Sequence, residues 1–351
     1  MSPSPGPGLK IDRGLPNQLD RVARAADELE RHGYDGCWVG EINHDPFLPL
    51  LLAAEHTSRL EVGTSIAVAF ARNPMTVAQV GWDLQAYSRG RLNLGLGTQI
   101  RPHIEKRFSM PWSHPVRRMR EFVLALRAIW TAWQDGTKLG FDGEFYTHKL
   151  MTPMFTPEPQ PHGFPKIFLA AVGEAMTELC GEVADGMHAH AFTTRRYLAE
   201  VTVPALRRGL QRTGRERSAF QLSAPVFVVT GDTDAELQAA AAATRKQLAF
   251  YASTPAYRAV LDLHGWGELH TELHRLSLRG AWDEMGALID DEILDAFAVV
   301  APAGDVAAKL RERCDGVIDR VLPGFLSGVS ESTVTAIVND MRTDVTVSGR
   351  N

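Results

Sequence analysis

The histidines and charged groups of this chain fall into short clusters, and each suggests a chemistry. In MHAHAF, His188 and His190 stand two residues apart, so on a strand both would face the same side. Such a pair can ligate a metal or line a pocket. A metal site would need further His, Lys and Asp at other strand ends. No convincing set accompanies the pair, so His190 reads as a pocket residue. HGWGELHTELH, residues 264 to 274, contains an i,i+4 histidine pair without the H-E-x-x-H spacing and reads as a surface helix. In INHDPF, His44 could deliver or accept a proton near pH 7, or cap the helix that Asp45 and Pro46 begin. The turn AAVGEA, residues 170 to 175, opens a helix, and the free N–H groups of such a start suit a phosphate. The stretch LEVGTSIAVAF, residues 60 to 70, is different. It reads as a buried strand, yet Gly63, Thr64 and Ser65 interrupt it, and a Gly weakens a strand interior.

Composition narrows the choices. A net charge of -5 gives no electrostatic case for a nucleic-acid or membrane-surface partner. Cys37, Cys180 and Cys314 stand far apart without a CxxC pair, which points to a reducing compartment and away from a zinc ribbon. No segment approaches 18 uninterrupted apolar residues, and the N-terminus lacks a basic stretch followed by an apolar one. The expected location is the cytoplasm.

The elements that must position these groups alternate along the chain. Strands are expected at 9–15, 37–41, 60–70, 91–99, 166–173, 187–192, 220–229 and 319–326, with amphipathic helices between most of them. The helix over 17–33 would bury Leu19, Val22, Ala26 and Leu29. Strict alternation implies a parallel sheet, and eight units suit an α/β fold closed as a (β/α)8 TIM barrel with insertions. No Gly-x-Gly-x-x-Gly follows the first strand, which weighs against an open nucleotide-binding sheet. Residues 1–8, rich in Pro, Gly and Ser, are expected to be disordered, and 9–351 to form one domain. Insertions are expected around 136–165, with a hairpin turning on Asp142-Gly143, and at 253–297, an irregular helical region that could cover an opening. In such a barrel the chemistry gathers at the C-terminal strand ends: Glu41 to His44, Ser65 to Ala69, Gly97 to His103, Val172 to Ala175, His188 with His190, and Gly324 to Ser327. Their small and polar character suits a flat aromatic cofactor approached by backbone groups.

Several motifs in order carry a resemblance: GTSIAVAFARNPMTVAQ, SRGRLNLGLGTQ, FDGEFY and PKIFLAAVGEAMTELCGEVADG. The chain resembles the luciferase-like monooxygenase superfamily, in the branch that uses the deazaflavin coenzyme F420, with an FMN-dependent monooxygenase as the alternative. The resemblance implies hydride transfer between F420 and a small organic substrate, and a homodimer. It implies a cis peptide at Ser65-Ile66 in a bulge behind the cofactor ring. It places Gly97, Thr98 and Gln99 beside the cofactor side chain, and the amides of Val172, Gly173, Glu174 and Ala175 on its phosphate. Glu41 matches an acidic position near the reactive ring edge, and His44 lies about two residues from the usual neighbouring His. Arg101, His103, Lys106 and Arg107 would screen the polyanionic oligoglutamate tail of F420, which FMN lacks. One departure limits the chemistry. Sugar-phosphate dehydrogenases of this family follow Gly-x-Gly-Thr with Gly-Glu, whereas here Gln99 and Ile100 follow, and Ile cannot transfer a proton.

Overall fold

A computed structural model describes residues 8–326 and 328–347. Residues 1–7 and Ser327, named above as a disordered start and a strand-end position, lie outside the described residues. Eight parallel strands close into a barrel: β1 (Lys10–Gly14), β2 (Gly36–Val39), β3 (Glu61–Thr64), β4 (Leu92–Gly97), β5 (Lys166–Ala171), β6 (Gly186–Ala189), β7 (Gln221–Val229) and β8 (Arg320–Phe325). Closure is explicit in the register, since Lys10 of β1 opposes Arg320 of β8, and Arg320 in turn opposes Ser223 of β7. The helices that follow seven of these strands are α1 (Leu19–Arg31), α2 (Phe47–Glu55), α3 (Pro74–Tyr87), α4 (Pro115–Asp135), α5 (Glu174–Val183), α6 (Val203–Arg212) and α7 (Asp234–Ala252); α8 (Ala303–Cys314) precedes β8.

Local chemistry explains the boundaries. Asn73 caps α3 by accepting the Thr76 N–H at 3.1 Å, and Pro74 occupies the first helical position, where no N–H is required. In α1, Val22, Ala26 and Leu29 are buried as the 3.6-residue period predicts, but Leu19, at the outermost turn, is 46% exposed. The strands β2 and β4 are buried along their whole length, as both faces of a parallel barrel strand must be.

Three elements differ from the sequence expectation. Residues Arg101–Lys106 form a short helix in what reads as a connection. The hairpin has only two residues per strand, Phe141–Asp142 and Thr147–His148, and turns over Gly143 to Tyr146. Glu121 on α4 holds that turn by accepting the N–H groups of Glu144 and Phe145 at 2.9 and 2.7 Å. An extra strand, Ala298–Val300, pairs with Phe227–Val229, because β7 outruns β6, which it meets only through Gln221–Ser223. The region before that strand is helical as expected and packs with α7 into its own apolar cluster around Leu248, Leu261, Leu273 and Phe297. No described helix is long and apolar enough to cross a membrane.

The barrel interior holds a fully buried ion pair. Arg320 of β8 grips Asp12 of β1 with two hydrogen bonds, Nη2–Oδ1 at 2.7 Å and Nε–Oδ2 at 2.8 Å. Its third nitrogen bonds Glu61 of β3, which also accepts from Asn93 of β4 at 2.8 Å. Trp38 of β2 donates its indole N–H to Asp12 at 2.8 Å and lies 5.2 Å from the guanidinium. Burial pushes the Glu61 carboxyl up, but Arg320 and Lys10 outweigh it and hold it at about 2. Replacing Arg320 with Met would leave Asp12 buried without its cation. The expected loss is about 3–5 kcal/mol, read from urea unfolding as a lower midpoint at unchanged slope. A loss below about 1 kcal/mol, the size of a surface pair, would show that the network does not hold the barrel together.

Candidate active site

The bend in the third strand has a geometric cause. Gly63 pairs with Asn93 and Ala67 with Leu96, so β3 carries one residue more than β4 between those two points. That is a bulge. Inside it the Ser65–Ile66 peptide is cis, as the resemblance implied. The Gly95 carbonyl, which the bulge deprives of a strand partner, accepts the Thr64 hydroxyl at 2.6 Å, so the buried Thr is satisfied. Gly63 is small because a Cβ there would come within 2.3 Å of the Trp38 ring. The outer side of the bulge is held by Glu41, which accepts the Val68 N–H at 2.7 Å and pairs with Arg72 at 2.6 Å. The backbone N–H of Glu41 donates to the Ile66 carbonyl at 3.1 Å.

Above the bulge lies a cleft of about 910 Å³ at the C-terminal strand ends. Its floor is made of small residues: Gly97 of β4, Ala170 and Ala171 of β5, and Ala189 of β6. A Cβ at Gly97 would stand 2.7 Å from Ile66 Cγ1, so the Gly lets Ile66 lie flat on the floor. One rim is the start of α5, where Val172, Gly173, Glu174 and Ala175 face the cleft. No side chain caps this helix, so its first N–H groups have no protein partner. The Glu174 carboxylate is turned onto α6, 2.9 Å from Arg208, and leaves the amides free of a competing anion. A flat cofactor bearing a phosphate fits these features. A smaller cleft of about 370 Å³ shares Ser65 and is lined by Asn17, Gln18, Gly40 and Asn43. A third cavity, about 640 Å³ between Lys10, Arg217 and Asp319, opens at the other end of the barrel, away from the strand ends.

Ser65, Ile66, Gly97, Thr98, Gln99, Val172, Gly173, Glu174, Ala175 and His190 thus line one cleft. Three other site expectations fall outside it. Glu41 lies beneath the bulge with its carboxylate occupied by Val68 and Arg72. His44 is exposed on the loop after β2, and Asp45, not His44, accepts the N–H groups of Phe47 and Leu48 at the start of α2. His103 is exposed on the short helix, while its neighbour Arg101 reaches the rim and pairs with Glu105 at 2.9 Å. Arg107 turns back to the Ile42 carbonyl. Trp112, Val116 and Tyr257 also line the cleft. The only sequence signal for Tyr257 is its place in a region able to cover an opening. The 264–274 segment, expected as a surface helix, instead buries His270 and Leu273, and His270 and His274 bond the carbonyls of Ala252 and Ser253 at the end of α7.

Two histidines are forced neutral. His188 is buried edge-on to Trp38, ring centroids 4.7 Å apart, and burial with the Arg320 charge pushes its pKa down to about 3. Its Nε2 stands beside the Thr64 carbonyl, which offsets part of that fall. Burial likewise lowers His190 to about 4. Among the described residues no group of three or more His, Cys, Asp or Glu is placed to hold a metal ion.

The profile of the luciferase-like monooxygenases matches residues 4–320, and the chain belongs to that family. An uncharacterized protein of Mycobacterium tuberculosis is 70% identical over 334 residues, 95% of this chain and 98% of its own length. The 5,10-methylenetetrahydromethanopterin reductase of Archaeoglobus fulgidus is 25% identical over 84% of this chain and 86% of its own. The structure of the coenzyme F420-dependent tetrahydromethanopterin reductase from Methanopyrus kandleri superposes with a TM-score of 0.78 at 18% identity. It covers 96% of this chain and 99% of that one, which establishes the shared barrel fold.

Two outcomes follow from this geometry. Gly97→Ala should push the Ile66 side chain into the cleft, lowering affinity for a flat cofactor roughly tenfold or more while leaving the fold intact, since overpacking costs about 1–3 kcal/mol. Unchanged cofactor binding in that variant would mean that nothing lies against Gly97 and Ile66. Acid should destabilise the protein through its histidines. The unfolded rings, with pKa about 6.5, take up protons that the folded rings refuse. Stability from this source is therefore complete above about pH 6.5 and falls as pH drops towards the folded values of about 4 and 3. His190→Asn should flatten the stability curve between pH 6.5 and 4, and an unaltered slope would refute the assignment.

Proposed function

We propose that the chain is an F420-dependent oxidoreductase that moves hydride between the deazaflavin and an organic substrate. The observation that carries this reading is the convergence of the α5 start, the bulge and Arg101 on one cleft. It is supported by the relatives, among them a methylenetetrahydromethanopterin reductase and a structural neighbour described as coenzyme F420-dependent. When bound, the cofactor supplies the redox chemistry, and the protein supplies binding and orientation. The amides of residues 172–175 hold the phosphate, the helix dipole adding to their attraction. Ser65, Ile66 and Gly97 back the ring, and Thr98 and Gln99 flank the chain that leads from it. Gln99 takes a left-handed backbone, φ 59°, which directs the strand end away from the floor and into the short basic helix.

That helix is what supports F420 over FMN in this reading. Arg101 lines the rim and pairs with Glu105, and Lys106 and Arg107 farther along the same segment leave it net cationic. Ile100 occupies the place of the acid that sugar-phosphate dehydrogenases use, so the substrate is of another kind. Side-by-side titration should show F420 binding more tightly than FMN. Joint replacement of Arg101 and Lys106 with Gln should weaken F420 several-fold, each exposed charge contributing about 0–1 kcal/mol, and leave a tail-less F420 precursor nearly unaffected. Added salt should narrow the gap between the two ligands. Tighter binding of FMN, with no effect of the tail, would replace this reading with that of an FMN-dependent monooxygenase.

A further inference from the structure

The cleft wall opposite the bulge contains a hydrogen-bond arrangement with a single solution. The backbone N–H of Phe192 donates to His190 Nδ1 at 3.0 Å. A backbone amide can only donate, so Nδ1 carries no proton and the neutral ring has its hydrogen on Nε2. Nε2 lies 3.0 Å from the Tyr257 hydroxyl oxygen. His190 is therefore the donor and Tyr257 the acceptor. The hydroxyl hydrogen of Tyr257 is left over, and no acceptor among the described residues takes it. Stacking holds the phenol in place. It stacks on the imidazole, centroids 4.3 Å apart and planes 17° apart, and Tyr251 closes on the same ring edge-on at 4.8 Å. Both Tyr257 and His190 line the cleft, between Ala189, Ala191 and Pro225. Burial raises the phenol pKa, so Tyr257 remains a donor at neutral pH.

We infer that the Tyr257 hydroxyl, fixed by the neutral His190 ring, donates a hydrogen bond to an uncharged oxygen, a carbonyl or hydroxyl, of the substrate held in this cleft. The wall is otherwise without charge. The rim cation Arg101 belongs to the segment after β4, Arg208 is engaged by Glu174, and Arg258, next to Tyr257, pairs with Asp262 at 3.3 Å. A carboxylate or phosphate placed against Tyr257 would lose its hydration without gaining a counter-ion. His190 acts here as a positioning residue, setting the direction of the tyrosyl hydrogen.

The inference rests on the proposed function only for the presence of a substrate in the cleft, and its test separates the two. Cyclohexanone, cyclohexanol and cyclohexanecarboxylate are titrated into the full chain by ligand-observed magnetic resonance, with and without F420. Wild type should bind the ketone or the alcohol and discriminate against the carboxylate. Tyr257→Phe keeps the ring stack and should bind the preferred ligand roughly tenfold more weakly, the worth of one neutral hydrogen bond. Its F420 affinity and melting temperature should be unchanged. Equal binding of the carboxylate, no loss in the Phe variant, or no binding of ketone and alcohol to wild type would each overturn the inference. A parallel loss of F420 affinity would also overturn it, because Tyr257 would then face the cofactor. Failure of wild type to bind F420 would instead overturn the functional reading, and the ketone titration on the F420-free chain would still decide the role of Tyr257.

Discussion

The barrel depends on one buried contact, the fork of Arg320 on Asp12. Both side chains are fully buried, and they belong to the strands that close the ring, so the contact joins the two ends of the fold. Removing two charges from water is expensive, and the geometry compensates with paired hydrogen bonds in one plane. The same guanidinium reaches Glu61, and through Glu61 Asn93, so β1, β3, β4 and β8 share one polar layer. Trp38 lies on that layer, Phe168 and His188 pack against Trp38 with centroids 5.6 and 4.7 Å away, and the cleft floor rests on them. The floor is thus supported from the bottom of the barrel by stacked layers of side chains, as a closed eight-stranded barrel requires.

The polar groups near the site fall into two kinds with different duties. Glu41 looks reactive in the sequence, yet it is used up, together with Arg72, in holding the bulge. The Glu41 carboxylate is buried, and its pairing with Arg72 offsets that desolvation while it satisfies the Val68 N–H that the bulge exposes. Thr64 does the same from inside. The groups open to the cleft include backbone N–H at the α5 start, a cation at the rim and one tyrosyl hydroxyl. A site built this way reads shape and hydrogen-bond polarity.

Charge is distributed across the cleft in keeping with that division. The α5 start and the basic short helix lie on neighbouring units, after β5 and β4, and attract anions. The β6 and β7 side is aromatic and neutral, formed by His190, Tyr257 and Pro225 with Tyr251 behind them. The helical insertion that supplies Tyr257 has its own apolar cluster.

Much of the fold was legible because strands and helices announce themselves through neighbours in sequence. Alternation, apolar period and the Asn73-Pro74 boundary depend on contacts within a turn or two, and seven of the eight strands emerged within about three residues of their observed limits, while the third, expected over 60–70, ends at Thr64 where the bulge begins. The bend at Gly63 to Ser65 and the uncapped start at Gly173 were visible as violations of local rules, which is where site residues tend to lie. The extra strand Ala298–Val300 was not, since three residues that follow a helix carry no period of their own, and only the unpaired end of β7 calls for them. Partner choice was beyond the sequence altogether. Asp12 and Arg320 are 308 residues apart, Glu41 meets Arg72 across 31, and His190 meets Tyr257 across 67. Residue type states what a side chain can donate or accept. Which partner it finds, and so whether it braces the fold or faces a ligand, is set by chain closure, because a hydrogen bond acts over about 3 Å in space and is blind to separation along the chain.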